Sequence, residues 1–274
     1  MIINYYNTYL LLLLLFVDFN IDTNSADSKI KRHELMNAEE IVLNNSSNKL
    51  LKLSDNNEWP FLDSNTLFLR DFYSSFYDEY IGNYKEKAKI VISGTPGIGK
   101  SAFGCYAIYR ALKDGKIVVF QTAEKPASWL IYEADTVSEV FENKTPGNLL
   151  DSTNVLYICD SVRPWVVECP TLLITSPKKS VWFEFTKEKG SVMKFFPVWS
   201  GGDELELLRQ NCFPNITAES MNRQVNVWGE IPRIALTMPE KFTEESLKSL
   251  IGASQPQLLP HYYMKLVKMI QIIV

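Results

Sequence analysis

The stretch KIVISGTPGIGKSAFGCYAIYRALKDGK, from Lys89 to Lys116, constrains the fold more than any other part of this chain. Ile90-Val91-Ile92 is a short β-branched run, the type that forms a strand buried on both faces. It leads directly into Gly94-Thr95-Pro96-Gly97-Ile98-Gly99-Lys100-Ser101, which fits the pattern G-x-x-x-x-G-K-[ST]. The glycines let the backbone curl so that successive N–H groups point inward, where phosphate oxygens can accept from them. Lys100 then offers a flexible point charge to the β- and γ-phosphates, and the Ser101 hydroxyl a ligand for Mg²⁺. Helix formers and apolar residues from Ala102 to Leu112 predict a helix closed by Asp114-Gly115, with its positive end beneath the phosphates. Average residue usage gives the bare pattern about once in a hundred chains of this length. The strand before and the helix after lower that well below about once in a thousand, so the motif reads as a nucleotide site.

Such a site needs an acidic partner for the metal. Val155-Leu-Tyr-Ile-Cys159-Asp160 is an apolar run ending in a carboxylate, the Walker-B pattern, and is expected to lie beside the Ile90–Ile92 strand. Many ATPases place a glutamate directly after that aspartate to polarise the attacking water; here the residue is Ser161. Glu124, after the run Ile117 to Phe120, and Glu168 are the remaining acidic candidates for a base. The next run, Thr171 to Ile174, ends in Thr175-Ser176-Pro177, where Ser176 could bond the γ-phosphate or the water as a sensor, or merely open a turn. Met193 to Trp199 reads as a fifth strand, followed by Ser200-Gly-Gly-Asp203 as a cap for the helix DELELLRQN. A further helix runs from Thr217 to Val227 and stops at Trp228-Gly229.

The remaining composition narrows the class. A formal net charge of −4 argues against wholesale coating of nucleic acid. The four cysteines form no C-x-x-C pair, and with two histidines there is no zinc-like spacing, so buried reduced thiols are expected. The aromatic series Phe72-Tyr73, Phe76-Tyr77, Tyr80 recurs at helical spacing and reads as core. At the amino end, six leucines from Leu10 to Leu15 plus Phe16 and Val17 form a block too short to span a membrane. Its length suits a signal peptide with small residues at Ser25-Ala26 for cleavage, although no Lys or Arg precedes Lys29; the alternative is a buried helix or a start-site artefact.

Four segments together resemble the P-loop domain of Crinkler effectors and the related retrotransposon hot spot proteins, within the broader STAND and AAA+-like ATPases. They are Phe68-Leu-Arg70-Asp-Phe-Tyr73, Gly94 to Ser101, Phe195-Phe-Pro-Val-Trp199 with Glu204-Leu205, and Trp228-Gly-Glu-Ile-Pro-Arg233. The resemblance covers roughly residues 65 to 240. It implies a nucleotide-binding domain of effectors secreted into host cells, often reaching the nucleus, and commonly carrying a carboxy-terminal nuclease or kinase-like module not recognisable here. Carried over, Arg233 would hold a second sensor position, its guanidinium reaching the γ-phosphate from a lid; the alternative is a lid-packing arginine. Arg70 is taken as structural.

The expected fold is therefore α/β, a P-loop NTPase of three layers (α/β/α) around a mainly parallel sheet, AAA+- or STAND-like, with a small, shortened helical lid. The expected divisions are residues 1–25 as signal peptide, 26–66 as a loosely structured polar lead-in, 67–200 as the core and 201–274 as the lid. The expected ligand is ATP with Mg²⁺ on Gly94 to Ser101, with Ser101 and Asp160 at the metal and Ser176 and Arg233 as sensors. Without a glutamate after Asp160, the expectation divides between slow hydrolysis driving a conformational switch in a host cell and a non-hydrolysing interaction module. A third reading is an intracellular ATPase of the retrotransposon hot spot type acting near DNA. Host proteins are expected partners, DNA a weakly supported one, and no stable membrane association is expected.

Overall fold

A computed structural model describes residues 32–43, 47–60, 62–82, 88–133, 136–141, 147–199 and 203–237. The leucine block and the cleavage site lie outside the described residues, as do the Ser200 cap and everything after Thr237. Within the polar lead-in, the chain is ordered by a few large apolar side chains. Helix α1 (Arg32–Met36) is followed by strands β1 (Glu39–Val42) and β2 (Lys49–Lys52). These form an antiparallel sheet with β3 (Thr66–Leu69), in the order β1-β2-β3. Leu35, Leu50, Leu51, Leu53 and Trp59 are buried in the main core, so the described part of this segment is an integral layer and not a loose leader.

Helix α2 (Tyr73–Tyr77) continues as a single wide turn over Asp78–Gly82. Tyr73 and Tyr77 are buried, and Tyr73, Phe76, Phe103 and Phe196 pack ring against ring at centroid distances of 5.2 to 6.2 Å. Edge-to-face pairs of this kind fix a helix more specifically than area burial alone.

The main sheet holds β4 (Lys89–Ser93), β5 (Ile117–Thr122), β6 (Ser128–Glu133), β7 (Thr136–Phe141), β8 (Val155–Asp160), β9 (Thr171–Ile174) and β10 (Ser191–Phe195). Its order is β10-β4-β9-β8-β5-β6-β7. The first five are parallel, and β6 and β7 extend the sheet as an antiparallel hairpin. The period of two within a strand divides the core. Ile90, Ile92, Leu156, Ile158, Leu172 and Ile174 face one cluster, and Val91, Tyr157, Cys159 and Leu173 the other. Helix α3 (Lys100–Lys113) covers the first face, close enough that a Cβ on Gly104 would meet Ile174 Cδ1 at 2.8 Å. The short helix α4 (Lys179–Trp182) and the loop around it lie toward the second, an arrangement compatible with three layers.

Two expectations are corrected. β8 is not beside β4: β9 lies between them, with Val91 opposite Leu173 and Cys159 opposite Leu173 on its other edge. All three strands are continuous apolar runs, and nothing in such a run specifies its neighbour. The last strand ends at Phe195, short of Trp199: Phe196 still donates to the Ser93 carbonyl at 2.8 Å, and Pro197 then has no N–H to continue the ladder.

Helices α5 (Asp203–Cys212) and α6 (Ala218–Trp228) follow; the Thr217 hydroxyl caps α6 by accepting from Ser220 N–H at 3.1 Å. A wide helical turn, Arg233–Thr237, closes the described chain. Cys105, Cys159 and Cys169 are buried and Cys212 half-buried, all as free thiols. Burial pushes each thiol up, Cys169 to about 11 and Cys212 to about 12, so these are not reactive nucleophiles. No helix among the described residues is long and apolar enough to cross a membrane.

Candidate nucleotide site

The loop between β4 and α3 owes its shape to glycine. Gly94, Gly97 and Gly99 have φ of 147°, 82° and 93°, a region open to glycine at little strain. Groups from three distant segments then occupy the loop carbonyls. Arg233 N–H donates to Gly97 O at 3.3 Å, Trp199 Nε1–H to Ile98 O at 3.0 Å, and Tyr73 O–H to Gly99 O at 3.2 Å. Among the described residues, the N–H groups of Gly97, Ile98 and Gly99 donate to no protein acceptor. Lys100 bends back over the loop, donating to the carbonyls of Gly94 and Thr95, each at 2.9 Å.

Lys100 is 8% exposed, and that burial lowers its ammonium to about 8; the Asp160 charge opposes the shift and the Arg233 charge adds to it. On the acidic side, burial raises the Asp160 carboxyl above the usual carboxylate range, against hydrogen bonds from the Ser101 and Ser161 hydroxyls and the charges of Lys100 and Arg233. Ser101 and Asp160 thus lie near one another, both lining the cleft at the carboxyl end of the sheet. Both are hard oxygen donors with room for further oxygens, which is what Mg²⁺ takes. Ser161 has φ of 60°, positive for a non-glycine residue, and its hydroxyl donates to Asp160 Oδ1 at 3.0 Å while its N–H bonds Ile174 O at 2.7 Å. Backbone in this region is strained and concentrates where function over-determines it. No sequence signal marks it.

A cleft of about 640 Å³ opens above these groups. Pro96, Gly97, Gly99, Lys100 and Ser101 line it from the loop, Asp160 and Ser176 from β8 and the end of β9, and Arg233 from the far wall. The structure therefore brings the two sensor candidates to the same cleft as the loop. Glu124 also lines it, whereas Glu168 lies beside Lys89 at the other end of the sheet and is removed from consideration as a base here. Thr175, next to Ser176, is buried with its N–H on Ile92 O at 2.9 Å, and so sets the strand end without reaching the cleft.

The far wall approaches closely at one point. A Cβ on Gly97 would lie 2.8 Å from Arg233 Cβ and 3.1 Å from Ile231 Cγ2, in backbone already left-handed. Gly97→Ala is expected to push the 231–233 segment off the loop. Strain of about 1–3 kcal/mol at such a position corresponds to nucleotide affinity lowered on the order of tenfold. A fluorescence titration beside a melting curve checks this; unchanged affinity would show that the contact is slack.

Arg70 holds the surrounding walls together. Its Nε lies 3.1 Å from both Glu204 carboxylate oxygens, and its terminal nitrogens donate to Pro197 O at 2.8 Å and Val198 O at 3.1 Å. The guanidinium stacks 4.4 Å from the Trp199 ring and 4.8 Å from Phe72. Arg70 is 4% exposed. The four sequence segments singled out above thus meet around one loop: Arg70 grips Pro197–Trp199 and Glu204, Trp199 grips the loop, and Ile231–Arg233 closes over it.

No protein-family model matches the chain. It is similar to Crinkler effector proteins 15 and 16 of Phytophthora infestans, 27% identical to each over 157 residues. That match covers 53% of this chain and 24% of each relative, so the chain spans about a quarter of their length. Among solved structures, Saccharomyces cerevisiae RIF2 aligns with 12% identity and a TM-score of 0.31, over 56% of this chain and 69% of that one. A score that low does not define a shared fold. What the chain carries is a weak Crinkler-like relationship over half its length, on an α/β fold with a mostly parallel, mixed seven-stranded sheet.

Proposed function

We infer that this chain is a P-loop nucleotide-binding domain taking Mg²⁺ and ATP in the cleft above Gly94–Ser101. One observation carries the reading: Gly97, Gly99, Lys100, Ser101 and Asp160 line one cleft, and among the described residues the Gly97, Ile98 and Gly99 N–H groups donate to no protein acceptor. Donor amides, a point charge and hard oxygens are the three components that polyphosphate with Mg²⁺ requires. The cleft volume suits a small ligand. The metal ion would neutralise phosphate charge, while Lys100 and the amides position the β- and γ-oxygens and Ser176 and Arg233 stand where a γ-phosphate could be sensed. The Crinkler-like similarity supports an effector secreted and then acting in a host cytosol or nucleus, where free thiols stay reduced. Ser161 in the place of a glutamate favours a second reading, in which nucleotide is held without turnover and serves as a switch for a partner protein.

Calorimetric titration with ATP in excess Mg²⁺ tests the binding. The sign of its pH dependence follows from Lys100. Phosphate favours the charged ammonium, so the value near 8 must rise on binding, and a proton is taken up wherever free Lys100 has lost it. Affinity should be full at pH 7 and about tenfold weaker at pH 9, with the slope removed by Lys100→Met. Absence of saturable binding at pH 7 would overturn the assignment.

A further inference from the structure

The acidic residue that many ATPases place after the metal-side aspartate is missing here, and the side chain in its place is turned away from that role. The Ser161 hydroxyl is spent on Asp160 Oδ1 at 3.0 Å, and a neutral hydroxyl is no base at ordinary pH. The adjacent strand supplies the carboxylate. β5 runs parallel to β8 with Thr122 opposite Asp160, and the next residue, Ala123, donates its N–H to Asp160 O at 2.9 Å. Glu124 follows one residue later and lines the cleft with Lys100, Ser101, Asp160 and Arg233. Its placement is fixed locally: the Thr122 hydroxyl accepts the N–H of Glu124 at 3.1 Å and of Lys125 at 3.2 Å, turning the chain sharply as it leaves the sheet. Among the described residues the Glu124 carboxylate has no hydrogen-bond or ion-pair partner. A base must stand off from the phosphorus by one water, and Glu124 lies two residues beyond the level of Asp160.

We propose that Glu124 is the general base of a slow ATP hydrolysis in this cleft. This rests on the nucleotide-binding reading above. The step is balanced within the site. A water oxygen forms the new bond to the γ-phosphorus, and the bond from that phosphorus to the β,γ-bridging oxygen breaks. ADP leaves with the bridging oxygen's electron pair, and the Glu124 carboxylate accepts the water proton and later returns it to solvent. Lys100 and Arg233 face the charge that develops on the transferred group.

The test is Glu124→Gln, which keeps size and removes basicity, compared with the full-length wild-type chain by calorimetric ATP titration and by single-turnover hydrolysis with Mg²⁺. The expected result is a dissociation constant within about threefold of wild type and a hydrolysis rate lowered about 100-fold or more. A variant hydrolysing within about threefold of wild type overturns the role of Glu124 while leaving an ATPase in place. A wild type that binds ATP and never turns it over overturns it while the binding reading stands. Loss of binding together with turnover would make Glu124 a binding group and overturn it also. A wild type with no ATP binding at all removes the underlying assignment.

Discussion

On the proposed nucleotide-binding reading, Lys100→Met should abolish most of the ATP affinity and at the same time make the unliganded fold more stable. Truncating one partner of a desolvated charge pair costs about 2–5 kcal/mol, so affinity should fall by at least about thirtyfold. The stability gain comes from the same burial. In the folded chain the ammonium is lowered from the ordinary lysine value of 10.5 to about 8, so folding holds the charged form at a disadvantage. At about 1.4 kcal/mol per pH unit, that is on the order of 3 kcal/mol at pH 7, which methionine avoids while keeping the aliphatic stem. The sign can be checked independently. The unfolded chain binds the extra proton, so wild-type stability should rise as pH climbs from about 8 toward the ordinary lysine value, and the variant should be flat there. Thermal melts at several pH values, run beside the ATP titration, measure both effects. A variant less stable than wild type at pH 7 would mean that the bonds from Lys100 to the Gly94 and Thr95 carbonyls outweigh the desolvation.

Arg70→Ala should have the opposite character: a large loss of stability reaching a site that Arg70 does not touch. Removing it leaves the Glu204 carboxylate, 16% exposed, without its 2.9 Å ion pair, and strips the donors from Pro197 O and Val198 O. Breaking a buried pair from one side costs about 3–5 kcal/mol. For a chain of this size that is a melting temperature lower by roughly 10 °C. Because Trp199 both stacks on Arg70 and bonds Ile98 O, ATP affinity should weaken in the variant at temperatures where it is still folded. Arg70→Lys should rescue little, since an ammonium cannot present the planar fork that serves three acceptors at once. A loss under about 1 kcal/mol would show that the guanidinium merely fills space.

The glycine turn from β4 into α3 and the central strands were legible from sequence because buried parallel strands are written as unbroken apolar runs, and because few residue types fit that turn. Strand order was not legible: β4, β8 and β9 are interchangeable by composition, and only their pairing shows which lies between the others. The sheet of β1 to β3 was hidden by its polar residues, since Lys49 and Lys52 flank Leu50 and Leu51 in a strand only half turned inward. The hairpin of β6 and β7 gave too little signal beside the stronger motifs. Around the cleft, Asp160 and Ser176 could be named from their positions after apolar runs, and Arg233 only through the resemblance. The link from Arg70 to Glu204 could not, because it joins residues 134 apart through a geometry that local pattern does not encode. Glu124 was a name without a place until the register of β5 against β8 put it at the cleft.

The three contacts on the loop carbonyls also set a timetable. Tyr73 precedes the loop in the chain, but Trp199 and Arg233 follow it by the length of a small domain. At ribosomal rates of about 5–20 residues per second, roughly ten seconds separate the emergence of Gly99 from that of Arg233. Once Phe195 has emerged all the parallel strands are available, while the loop still lacks its far wall until Ile231 to Arg233 follow. A ribosome stalled before Pro232 should therefore display a folded sheet that ATP does not stabilise, and one stalled well beyond Thr237 a sheet that it does.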